Sequence, residues 1–459
     1  MLGIVQLSSC QKWLEVQPED KFTVNQIYAT PSGVRELVNG FYIKMGSNAL
    51  YGERLTLTGL EAMAQRFKIT SDKHPYYNYQ TLDYGQENML NSFSTVWIQM
   101  YDVISNINDM VKTLPTVENG MTATEKDQLI GEAIALRAFI HFDLLRLFGP
   151  RYTEESKLND AIPYVTKLSI EIMPFSNSEV VIQKILEDIA TAKTLMLQDP
   201  ILTQNGSGST NNGRFNYYAA VALEARVQQW AGNRPAALAA AQEVIAVQNK
   251  FPWVTHQAIT SNGANPDRIF STEIIFSVFN RNLYDVQKNY FDSNLQESSL
   301  MATGNSNLVD EVYDHLESDY RLSPSWPIAS TGVGYKTFVK YQDLSDSKIL
   351  SRFLVPVIRI SEMYYIAAES TDDQTAALGY INTVLQHRNI LLQLTDYAAF
   401  ENALTKEYMK EFYGEGQLWY YYKRKNKTNI FSVSLHPQSK IMSESSYMIP
   451  IPKEEEFGR

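Results

Sequence analysis

A chain of 459 residues and 52.3 kDa has room for about three domains, or for one large domain with a long insertion, and is long enough to bury a sizeable core. Its 40 Lys and Arg against 51 Asp and Glu leave a net charge of −11 and a pI near 5.2, a field that repels phosphate backbones and argues against nucleic-acid binding. With 44% hydrophobic and 20% charged residues it is ordinary globular material, and no apolar run reaches the roughly 18 residues that cross a bilayer.

In chain order, the single cysteine comes first. Cys10 closes Leu7-Ser8-Ser9-Cys10 after the apolar stretch Leu2–Leu7, which resembles a bacterial lipobox in which the thiol receives a diacylglycerol. The bland alternative is a buried free thiol. Nine residues without Lys or Arg are short for a signal peptide, so this reading places the true start upstream of Met1. One thiol excludes an internal disulfide and a Cys-based zinc site.

Residues 124–148 read as a helix, with Thr124 and Asp127 as a capping box, apolar residues from Ile130 to Phe148 at helical spacing, and Gly149-Pro150 as the stop. Ser176-Asn177-Ser178-Glu179 opens a second helix running to about Gln198, and residues 205–213 form a Gly/Ser/Asn loop. Asn216–Asn249 and Pro356–Asn389 each read as a helical hairpin with the 34-residue tetratricopeptide period, with Ala376-Ala377-Leu378 echoing Ala236-Ala237-Leu238. Between them, residues 251–355 carry Pro, Gly, Asn and the alternating Glu273–Val278, which is loop and short-strand material. A stretch of this length without helical period usually has a function.

The 28 Tyr, 20 Phe and 6 Trp exceed what a core needs, so some rings should have a wet edge. Flat apolar faces beside polar groups suit sugar rings. Tyr76, Tyr77 and Tyr79 beside Asp72 form one such cluster; Arg281, Asn282 and Tyr284, with Tyr290, form a second; Trp326 in its Pro-bracketed loop is a third. There is no GxSxG, HExxH, P-loop or EF-hand pattern, and the six His never pair at ligand spacing, so neither an enzyme nor a metal or cofactor site is expected. A two-carboxylate glycosidase leaves no sequence signature and stays open.

Several segments resemble the SusD/RagB family of Bacteroidetes surface lipoproteins. They are Cys10–Pro18; Trp97, Tyr101, Ile104 and Asn108; Gly131–Gly149; Arg359–Glu369; Glu411–Trp419; and Tyr447–Pro452. Leu418 stands where the family often has Arg. The resemblance implies a mainly α fold: a tetratricopeptide-like scaffold of about four helix pairs, with a loop-rich ligand-binding portion and short strands. Residues 1–10 would be signal and 11–459 one large domain, with the scaffold at about 25–250 and 350–425 and the insertion at about 251–355. It further implies a protein anchored in the outer membrane through lipidated Cys10, holding an oligosaccharide for a SusC-like TonB-dependent transporter. Arg137, Arg146, Arg359 and Glu362 would be ion-pairing scaffold residues. Peptide cargo and a purely protein-binding helical adaptor are the alternatives.

Overall fold

The computed structural model describes residues 24–168, 172–203, 210–260, 263 and 265–457. Cys10 and most of the 205–213 loop lie outside the described residues. The scaffold is a succession of helices, each packed on the next: α1 (Pro31–Met45), α2 (Glu87–Thr113), α3 (Ala123–Phe148), α4 (Ser178–Leu195), α5 (Tyr217–Trp230), α6 (Arg234–Ile245), and, after a long excursion, α7 (Ile360–Ser370) and α8 (Gln374–His387). Taken in order these make four helix pairs, as the family resemblance implies. Two further helices, α9 (Phe400–Glu411) and α10 (Gln417–Arg424), close the stack.

Helix α3 is the centre of the scaffold. It begins one residue earlier than its sequence suggests, and its cap is Thr122 rather than Thr124. The Thr122 hydroxyl accepts from Glu125 N at 3.2 Å and the Glu125 carboxylate accepts from Thr122 N at 2.9 Å. From Ile130 to Phe148 every residue is buried, so neighbours surround the helix rather than meeting one stripe. Its far end is capped from a distance: the buried Lys423 ammonium donates to the carbonyls of Arg146 (2.9 Å), Leu147 (3.2 Å) and Gly149 (2.8 Å). Replacing Lys423 with Met leaves those acceptors in a dry interior and is expected to cost about 2–3 kcal/mol. Thermal melting checks this; an unchanged midpoint would show that water takes over the cap.

The expected ion pairs of the stack are present. Arg137 makes a two-pronged contact with Asp188 (2.8 and 2.7 Å) and also reaches Asn108 at 2.7 Å. Arg226 grips Glu362 with two 2.5 Å bonds, and Arg146 pairs with Asp143. A larger buried network joins α7, α8 and α9. Arg388 takes Glu273 (2.9 and 2.6 Å) and Glu411 (3.0 and 2.6 Å), Arg359 takes Glu411 and Glu415, and Arg321 takes Asp319, Glu407 and Glu411. Leu418, the departure noted above, is a core residue at 1% exposure.

The second hairpin differs from its sequence reading. Pro356 does not open a helix; it lies in a strand. The pairs β1 (Asp160–Ile162) with β2 (Ser176–Asn177), and β3 (Ile274–Phe279) with β4 (Leu354–Arg359), are antiparallel, as are β5 (Asn429–Phe431) and β6 (Ser439–Ile441). Proline is tolerated in β4 because the sheet has only two strands and therefore only edges. Helix α7 then starts at Ile360, straight after Arg359. Pairing of Phe279 with Leu354, and the bond from Asn280 N to Phe353 O at 2.9 Å, bring the two ends of the 280–353 excursion side by side.

Candidate functional groove

Within that excursion a short helix, Leu283–Tyr290, is set by Asn280. The buried Asn280 amide donates to Asn48 Oδ1 (3.0 Å) and Gly52 O (2.9 Å), while its Oδ1 accepts from Asn282 N at 2.9 Å, so it fixes both the neck and the start of the helix. The helix buries Leu283, Val286 and Gln287 and leaves Asp285, Lys288 and Asn289 exposed. Facing it is a small hairpin in which Ile328 bridges Lys336 and Thr337 N donates to Pro327 O at 3.2 Å.

The hairpin tip is clasped to the chain just beyond the helix. Val333 N donates to Ser293 O at 3.2 Å, and Gly332, at φ +80°, lies so close that a Cβ there would stand 1.8 Å from that same oxygen. Only glycine fits such a left-handed close approach. Gly332-Val333-Gly334, which has no phosphate-binding meaning in the sequence, is thus the clasp of this structure.

Helix and hairpin enclose an open groove of about 570 Å³. Its apolar faces are the half-buried Tyr284 ring, Pro327 and Ile328, which is 64% exposed; its polar edge includes Asp285, Lys288, Asp292, Asn294, Ser330 and Asp343. Tyr284 is held on edge: its hydroxyl donates to Arg352 O at 2.7 Å, its ring leans on Phe353 at 4.7 Å, and the Arg352 guanidinium lies 5.4 Å over it. Burial, with Asp343 nearby, pushes its phenol pKa up, so it remains a neutral ring at any ordinary pH. Gln287 lines the floor. Its Nε2 donates to Phe338 O at 2.7 Å, and its buried Oε1 has no hydrogen-bond partner. The arrangement offers flat apolar surface, acceptors and donors. Among the described residues no group of three or more His, Cys, Asp or Glu could hold a metal ion.

The other sequence-predicted residues fall elsewhere, and three need correction as exposed platforms. Tyr76 (5%), Tyr79 (1%) and Trp326 (1%) are core residues. The Tyr76 hydroxyl donates to buried Glu53, and its ring meets Tyr79 at 5.3 Å and Tyr290 at 5.4 Å. Trp326 sits between Phe338 (5.0 Å) and Tyr413 (4.8 Å). The first and second aromatic clusters therefore do meet, through Tyr76 and the half-buried Tyr290, but as packing rather than as an open face. Tyr77 is half-buried; Asp72, Arg281 and Asn282 are exposed and line none of this groove. Ile328, Gln287 and Asp343 escaped the sequence reading. The one available signal was the Gly332–Gly334 turn, which brings Ile328 across from the helix.

A stacked set of helix pairs carrying a clasped loop insertion with an open groove defines a helical-repeat fold with one candidate binding surface in its insertion. Two family models cover most of the chain: one described as "Starch-binding associating with outer membrane" matches residues 12–228, and one described as "SusD family" matches 254–455. The chain belongs to the SusD/RagB family. It is 22% identical to a SusD-like protein, P38, of Formosa agariphila, over 93% of this chain and 90% of the relative. Among solved structures it resembles a SusD superfamily protein from Bacteroides thetaiotaomicron (TM-score 0.73, 20% identity, 93% of this chain and 98% of that one). It also resembles a structure titled as a laminarin-binding SusD-like protein (TM-score 0.66, 18% identity, 94% and 98%). Among the described residues no helix is long and apolar enough to cross a membrane.

Proposed function

We propose that this protein captures an oligosaccharide in the groove between Leu283–Tyr290 and the 327–337 hairpin, and passes it to a SusC-like TonB-dependent transporter. Attachment to the outer membrane would be through lipidated Cys10. The observation that carries the reading is the groove itself: Tyr284 and Ile328 present apolar faces beside a polar edge that includes Asp285, Lys288, Asn294 and Ser330, which suits the two-sided surface of a sugar ring. Anchoring by acyl chains needs no spanning helix, and tethering beside a transporter makes delivery effectively intramolecular. The laminarin-binding neighbour makes β-glucan a natural first probe.

The test is affinity-gel and calorimetric binding of the chain begun after Cys10 to a panel of glycans including laminarin, with Tyr284→Ala and Ile328→Ser compared against the parent. By analogy with ring stacking elsewhere, losing Tyr284 is expected to weaken binding by about 1–3 kcal/mol with no change in melting beyond a degree or two. Failure of the parent to hold any glycan, with retention of a peptide pool, would overturn the reading in favour of peptide cargo.

A further inference from the structure

A second depression, of about 210 Å³, adjoins the groove and shares Gln342 with it. It lies between residues 265–271 and the segments around Lys340 and Arg352, and its lining is cationic. Arg268 is the unusual member. Its Nε donates to Pro324 O at 2.8 Å, its Nη1 is buried with no hydrogen-bond partner, and no carboxylate among the described residues forms an ion pair with it. The interior arginines Arg137, Arg226, Arg321, Arg359 and Arg388 all end on carboxylates.

The neighbouring groups do not neutralise it. Asp267 is engaged by Ser271, accepting from its N at 3.0 Å and its hydroxyl at 2.8 Å, and burial pushes its carboxyl above the usual range. Lys340 is spent on Glu415 and Tyr413 O. Arg352 gives Nη2 to Asp343 at 2.7 Å, while its buried Nε has no partner. Two guanidinium N–H groups on residues lining this pocket thus lack acceptors; both are covered from solvent, so a small side-chain movement must expose them to a ligand, and Arg268 also borders a small cavity beside Arg321, Trp326 and Glu411. Uncompensated burial lowers the Arg268 pKa to about 10. A planar anion is the group whose geometry answers a guanidinium. The groove edge, where Asp285 and Asp292 stand beside the single Lys288 and Asp343 is already paired with Arg352, disfavours a second negative charge.

Resting on the glycan reading above, we propose that the Arg268 pocket receives the carboxylate of an acidic sugar unit, the neutral units of the same chain lying in the adjoining groove over Tyr284. The cargo would then be a sparsely acidic glycan rather than a uniformly charged polyanion, consistent with a net charge of −11.

The experiment is calorimetry with glucuronic-acid-bearing xylo-oligosaccharides against their carboxyl-reduced neutral form, with oligogalacturonate and alginate oligomers as uniformly charged chains expected to bind less tightly, and laminarin as a glycan without carboxylate. The expected result is at least tenfold tighter binding of one carboxylated form than of its reduced partner, with the preference shrinking as salt rises. In Arg268→Gln the preference disappears while binding of the reduced form is retained, which also shows that the variant is folded; Arg268→Lys keeps part of it. Equal affinity for carboxylated and reduced forms, no binding of any acidic glycan, or an unchanged preference in Arg268→Gln would overturn the proposal. If laminarin or a reduced form still binds, only this inference falls; if no glycan binds and carboxylate-ended peptides do, the glycan reading falls with it.

Discussion

Glu411→Ala is expected to lower folding stability by about 3–5 kcal/mol, the scale on which removing one partner of a buried charge cluster acts. The carboxylate touches Arg388 through both oxygens and also meets Arg359 and Arg321; all three guanidinium groups are essentially sealed from solvent. Those contacts hold its pKa well below the usual carboxylate range against the opposing effect of burial. Taking it away leaves positive charges in a dry interior at the junction of β4, α8 and α9. Since domains are stable by only about 5–15 kcal/mol, the loss should be plain in a denaturant titration. Glu411→Gln, which keeps the shape and one acceptor, should retain part of it. A loss under 1 kcal/mol for Glu411→Ala would mean the cluster relaxes onto Glu273, Glu407 and Glu415.

The second large effect is acid instability with a definite window. His141 is completely buried in α3, stacked on Tyr164 at 4.0 Å, with Nδ1 at 3.0 Å from Arg137 O and Nε2 accepting from Val165 N at 3.0 Å. An amide N–H can only donate, so Nε2 must be bare and the proton sits on Nδ1; the ring is locked neutral. Burial lowers its pKa from 6.5 to about 3. Between those values the unfolded chain takes up a proton that the folded one refuses, so stability is fully present above about pH 6.5 and falls as pH drops towards 3. At one unit per 1.36 kcal/mol the loss approaches about 5 kcal/mol at the lower limit. Glu369 acts in a different window. Against burial, Arg424 and Lys425 hold its pKa down to about 2, so its contribution is lost only below about pH 4.5. Denaturant midpoints at pH 7.5, 6 and 4.5 span this window, which His141 shares with His74 and His387, also lowered by burial, and with buried Glu61, raised to about 7 and acting in the opposite sense. The histidine's own part is read from His141→Gln, which should flatten the slope across that range while costing stability at pH 7.5. An equal slope in the variant would assign the acid sensitivity to other groups.

What could be read from the sequence were features with local or periodic causes. Helix α3 announces itself through its apolar run and Gly149 stop and the hairpins through alanine-rich faces, while the ion-pairing of Arg359 and Glu362 followed from the family resemblance. Errors arose where distant chain decides. Pro356 looks like a helix opener until β3 pairs with it. Trp326 looks like a wet ring until Phe338 and Tyr413 close around it. Tyr76 and Tyr79 look like wet rings until Glu53, Tyr290 and Phe93 close around them. The groove was legible only in Tyr284, because Ile328, Gln287 and Asp343 converge through contacts that no short pattern records.

The neck formed by Phe279 and Leu354 has a consequence for how such a molecule can diversify. Because the excursion leaves and rejoins the stack at adjacent points on a two-stranded sheet, segments between Asn280 and Phe353 can be exchanged or lengthened without shifting any helix pair, the circumstance in which inserted chain is best tolerated. The exchange has anchors to respect: Phe291 and Phe338 pack on Phe67, Trp326 packs on Tyr413, and Arg321 and Lys340 pair with Glu407, Glu411 and Glu415, so these residues must be kept or replaced in kind. Selection for a new nutrient can therefore rewrite the recognition surface while the helical frame underneath remains the same.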